Sequence, residues 1–159
     1  MRMMKSVHKL MFITALLSVV GLGACSAPGN DYSEYHTLPE EGWLYGDTIV
    51  FTPDFADSVA TGRLVTAITH GNDFRFSSLV LEVLWCDGGG QVCRDTVFFP
   101  LADNFGRWQG RGLGPHLQMA DTIGRRVTLT RGVPVKVRHI MRTDTLMALS
   151  RVGIFFISE

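Results

Sequence analysis

The chain has 159 residues, 46% of them hydrophobic, and fifteen basic side chains balance fifteen acidic ones. That length allows one domain with a core of its own. A neutral balance gives no basis for a nucleic-acid partner or for a polybasic membrane surface.

The amino terminus carries Arg2, Lys5 and Lys9 without an acid, and Leu10 to Gly23 then runs uncharged. That order is a secretory signal: a basic start, an apolar stretch, then small residues. A permanent span needs roughly 20 apolar residues, more than are present here. Leu22-Gly23-Ala24-Cys25 is similar to the lipobox of bacterial lipoproteins. The resemblance predicts removal of residues 1–24 and lipidation of Cys25, by which the chain would be held on a membrane. All fifteen acids follow Cys25 while three of the basic residues precede it, so the mature chain is mildly acidic.

Ser26 to Glu41 mixes Pro, Gly, Ser, Asn and acids, and residues 25–41 are expected to be a lipidated cysteine and flexible tether. From Gly42 to Glu159, short apolar or alternating runs separated by turn residues predict an all-β domain. Strands are expected near Thr48–Thr52, Val59–His70, Leu79–Trp85, Arg94–Pro100, Val127–Arg131, Val133–Arg142 and Val152–Ile157. In the sixth, Val133, Val135, Val137, His139 and Met141 should face inward and Lys136, Arg138 and Arg142 outward. Pro134 there suggests an edge or a bulge. Seven or eight strands without a helix fit a two-sheet β-sandwich, Ig-like or jelly-roll, with a small β-barrel as the alternative.

Cys86 and Cys93 flank Asp87-Gly88-Gly89-Gly90-Gln91-Val92, a turn by composition. Facing cysteines at the mouth of a hairpin in an exported protein should be oxidised, and closing so short a loop would stabilise by ~2.5 kcal/mol. Free thiols are the alternative. Asn104 to Asp121 is the longest region without a strand pattern; it carries five Gly or Pro residues, yet Phe105, Trp108, Leu113, Leu117 and Met119 give it more apolar mass than a solvated loop requires, which predicts an ordered loop. Within it Trp108, flanked by Arg107 and Arg111, reads either as a plug over one end of the sandwich or as an exposed anchor for a sugar or a protein. Arg142 and Asp144 read as a local ion pair or as a docking patch.

No constellation of an enzyme stands out. His36, His70, His116 and His139 are scattered, Gly-x-Ser-x-Gly is absent, and Gly88-Gly89-Gly90 lacks the Lys-Ser/Thr of a phosphate loop. The reading is therefore a non-enzymatic protein with no metal and no cofactor.

Several segments, in order, resemble one family. Gly42-Trp43, the run Phe74-Arg75-Phe76-Ser77-Ser78-Leu79 and Leu101-Ala102-Asp103 are followed by Gly106-Arg107-Trp108-Gln109-Gly110-Arg111-Gly112. Met141-Arg142-Thr143-Asp144-Thr145-Leu146 and Val152-Gly153-Ile154 complete the set. These are similar to segments of the gliding-motility lipoproteins named GldH. Ser78 stands where that family has Asn, and Cys86 and Cys93 are not features of it, which marks a divergent member. The resemblance implies an accessory lipoprotein of the gliding and type IX secretion apparatus, with envelope proteins as partners. Ser26 beside the lipid cysteine resembles an outer-membrane sorting signal, and the lack of a dense acidic run favours the periplasmic face. A glycan-binding envelope lipoprotein is the rival reading.

Overall fold

The computed structural model describes residues 29–112 and 114–159, so the signal segment and Cys25 lie outside the described residues. Among the described residues there are eleven strands: β1 (Tyr32–Thr37), β2 (Trp43–Leu44), β3 (Ile49–Phe51), β4 (Val59–Gly71), β5 (Ser78–Cys86), β6 (Val92–Pro100), β7 (His116–Thr122), β8 (Val127–Thr130), β9 (Val135–His139), β10 (Thr145–Leu146) and β11 (Leu149–Ser158). One sheet has the order β1-β11-β4-β7, with β8 pairing the start of β4, and the other has the order β3-β9-β5-β6. The short strands β2 and β10 pair with each other. The architecture is all-β, a sandwich with no closed barrel.

Alternation along the strands builds the core. Leu64 and Ile68 of β4 and Ile154 and Phe156 of β11 meet Phe51, Leu79, Leu81, Val83, Phe99 and Val137 of the second sheet in one cluster. Full burial of such a side chain stabilises by about 1.5–3 kcal/mol. In β9, Val135, Val137 and His139 are buried while Lys136 points out, as the alternation requires. The strand is interior, between β3 and β5, and not at an edge. Pro134 stands just before it, where a missing N–H removes no ladder bond.

Two corrections concern extent. Tyr32–Thr37 pairs with β11 along its whole length, so the domain begins well inside the segment expected to be tether. Asp31 fastens this strand by accepting from the backbone N–H and the hydroxyl of Ser158, both at 2.8 Å. Asn30 adds hydrogen bonds with Asp57. Likewise, the second half of the expected Asn104–Asp121 loop is β7, paired with β4 from Val65–Thr122 to Gly71–His116.

The free edge of β6 is interrupted at three places: Asp95 Oδ1 accepts the Thr96 N–H at 2.8 Å, Arg125 donates to the Arg94 carbonyl at 3.3 Å, and Pro100 has no N–H. On β7, Asp121 accepts the Thr122 N–H in the same way. Such caps guard a long edge against strand addition.

Candidate functional site

The cysteines are where register decides chemistry. Asp87 Oδ1 accepts the N–H groups of Gly89 and Gln91 at 2.9 Å, and the Asp87 N–H reaches the Gln91 carbonyl. This closes a turn that pairs Cys86 with Val92 and Trp85 with Cys93. Offset by one residue, the two thiols point to opposite faces of the hairpin. Both are free, and the expected disulfide is not formed.

The Trp108 loop is ordered from its Asp103 end. That carboxylate accepts the N–H groups of Phe105 and Arg107 at 2.9 Å and Arg107 Nε at 2.7 Å. The backbone N–H bonds from Arg107, the largest influence, hold the Asp103 carboxyl below its ordinary pKa. Gly106 takes φ +77°, which its missing side chain allows. Trp108 is half-buried against the core and lies 5.4 Å from the His70 ring. Arg107 and Arg111 are exposed, and Phe105 at the tip is 84% exposed. His70, fully buried, lies 3.1 Å from the Gly71 carbonyl and 3.2 Å from that of Gln109.

Arg142 and Asp144 are both exposed and make no ion pair with each other among the described residues. They border a shallow concavity with Tyr45 and Met141, and the Asp144 carbonyl accepts the Tyr45 N–H. An open cleft of about 450 Å³ lies between Leu38, Asp73, His116 and Ala148. Among the described residues no group of three His, Cys, Asp or Glu is placed to hold a metal.

A feature not read from the sequence lies on the outer face of the second sheet. Leu79–Trp85 is apolar but for Glu82, and the strand turns Val80, Glu82 and Leu84 away from the core. Glu82 is nevertheless only 5% exposed. Arg138 Nε meets its Oε2 at 2.6 Å and Arg94 Nε its Oε1 at 3.3 Å. Covering a carboxylate in this way is tolerable because both oxygens are paired. The lone acid in an otherwise apolar run was the available signal.

These features define a β-sandwich whose distinctive chemistry lies on its faces and end loops. A family model described as GldH lipoprotein matches residues 30–155, and the chain belongs to that family. It is 31% identical over 83 residues to a protein named as a gliding motility lipoprotein GldH homolog from Christiangramia forsetii, a match that covers 52% of this chain and 50% of the relative. The chain thus spans about half the length of that curated relative. Among solved structures, dimeric latent PorU from Porphyromonas gingivalis aligns with 87% of this chain and 14% of its own, at 14% identity and a TM-score of 0.36. The infectious bursal disease virus VP2 subviral particle aligns with 87% of this chain and 36% of its own, at 9% identity and a TM-score of 0.31.

Proposed function

We propose that the protein is a lipid-anchored, non-enzymatic interaction component of the gliding motility and type IX secretion apparatus, attached through Cys25 to the periplasmic face of the outer membrane. The observation that carries this reading is the family match over residues 30–155. A domain whose chemistry lies on open faces suits a role in which binding is the activity. The rival glycan platform would need coplanar aromatic rings at the surface. The half-buried pair Tyr35 and Phe155 meets at an angle of 82° instead, and the exposed Phe76 meets the buried Phe74 at 64°.

Deletion of the gene, complemented by the wild-type chain or by Cys25→Ser, tests the reading. Loss of colony spreading and of protein secretion, restored by the wild type only, is the expected result. Full spreading and secretion in the deletion strain would refute it.

A further inference from the structure

The outer face of the β3-β9-β5-β6 sheet is patterned in rows that follow from its register. Val80 stands opposite Phe98, and Ile140, which donates its N–H to the Val80 carbonyl, extends that pair into an apolar row. The next row is Arg138–Glu82–Thr96, and the one after it is Val50–Lys136–Leu84–Arg94. Phe98 is 54% exposed and Val50 43% exposed. The face therefore offers apolar side chains to solvent on both sides of an ionic row.

Three cations stand on this face against one carboxylate, although the mature chain as a whole is acidic. Glu82 holds the two guanidiniums by their Nε atoms. Their terminal N–H groups are left for other acceptors, because a guanidinium carries five donors. Fixing an arginine before it binds reduces the ordering cost that binding would otherwise include. A second copy of this chain would bring like charge to like charge, which is unfavourable. Asp95, Arg125 and Pro100 interrupt the neighbouring edge and hinder strand addition there, which favours an occupant on the face.

We propose that this face docks an acidic, apolar segment of another envelope protein, its carboxylates meeting Arg94, Arg138 and Lys136 while its apolar side chains pack on Phe98 and Val80. This rests on the interaction role proposed above and names the surface that performs it. Aromatic and arginine side chains are the types enriched at such interfaces.

The test is photo-crosslinking of the full lipoprotein in intact cells, with p-benzoylphenylalanine placed at Phe98 or, separately, at Phe105 on the far loop, and with each crosslinked peptide sequenced. Both side chains are exposed, so neither replacement disturbs the core. The expected result is a crosslink from position 98 to a net-acidic segment of another protein. Lys136→Glu should lower its yield about ten-fold, the effect of reversing one contacting charge at roughly 1.4 kcal/mol. Crosslinks from 98 to lipid, to a second copy or to a basic segment would overturn the proposal, as would a yield indifferent to Lys136→Glu. Crosslinks to protein from 105 alone would overturn this assignment and leave the interaction role standing. None from either position would count against both.

Discussion

Cys93 lies directly across the β5–β6 hairpin from Trp85, one residue out of step with Cys86. The Cys93 side chain packs against the core while Cys86 is half-buried on the outer face. In the unreduced protein, unfolding should release two titratable thiols from this pair. In the folded protein a maleimide should modify Cys86 well before Cys93. Recovery of a Cys86–Cys93 disulfide by peptide mapping would show that the hairpin has a different register.

Trp108→Ala removes a half-buried ring from the His70 side of the core. Truncating a fully buried tryptophan costs about 3–5 kcal/mol, so a half-buried one should cost roughly 2 kcal/mol. Thermal unfolding measures this. An unchanged midpoint would mean that the ring contributes nothing to the fold and would return Trp108 to the role of an exposed anchor.

His139 is buried between the edges of Trp43 and Tyr45, with ring centroids 5.3 Å and 5.5 Å away. Neither ring nitrogen makes a hydrogen bond among the described residues. Burial holds its pKa below the ordinary imidazole value, opposed by the nearby carbonyls of Trp43 and Leu44 and by the Asp47 charge. The unfolded chain therefore takes up a proton near pH ~6.5 that the folded chain refuses until lower pH. Stability from this group is present above that pH and falls on acidification, by at most about 1.4 kcal/mol per pH unit. In His139→Phe this loss between pH 7 and 5 should shrink. A denaturation midpoint with the same pH slope in both proteins would refute the assignment.

Gly153 lies beneath the Tyr35 ring, across the β1–β11 pair. A methyl at this position would stand 2.5 Å from Tyr35 Cδ1 and 3.0 Å from the Glu34 carbonyl oxygen. Gly153→Ala must lift the ring, at about 1–3 kcal/mol, and should change the tyrosine near-UV signal. If melting and spectrum are both unaltered, the close approach of ring and strand is not what requires glycine here.

Val59–His70 and the apolar run Val152–Ile157 were legible as strands, although the second begins earlier, at Leu149. β1 was not. Its sequence Tyr-Ser-Glu-Tyr-His-Thr carries no apolar stripe and becomes a strand because β11 offers it an edge and Asp31 fixes its start. β7 was obscured by the glycines before it, although Leu117 and Met119 alternate toward the core side. The thiol pairing failed for a finer reason. A turn of five residues or of six looks alike in composition, and the two hydrogen bonds of the Asp87 carboxylate choose between them. The docking face could not be read because its rows join residues from β3, β9, β5 and β6, and only register brings them together.

The early start of β1 sets how far the domain can stand from its anchor. Between Cys25 and the pinned Asn30 there are four residues, and five peptide steps reach at most about 18 Å. A lipid on Cys25 would thus hold the Asn30, Asp57 and Ser158 end against the headgroups. The β5–β6 turn lies at that same end, since Gly88 borders Thr128 and Val59. The Phe105 tip and the cleft beside His116 belong to the opposite end, where β4 finishes against β7. On so short a leash a lipidated domain would keep that end at the membrane, with its far end pointing away from it and its patterned flank turned sideways, within reach of neighbours in the same membrane.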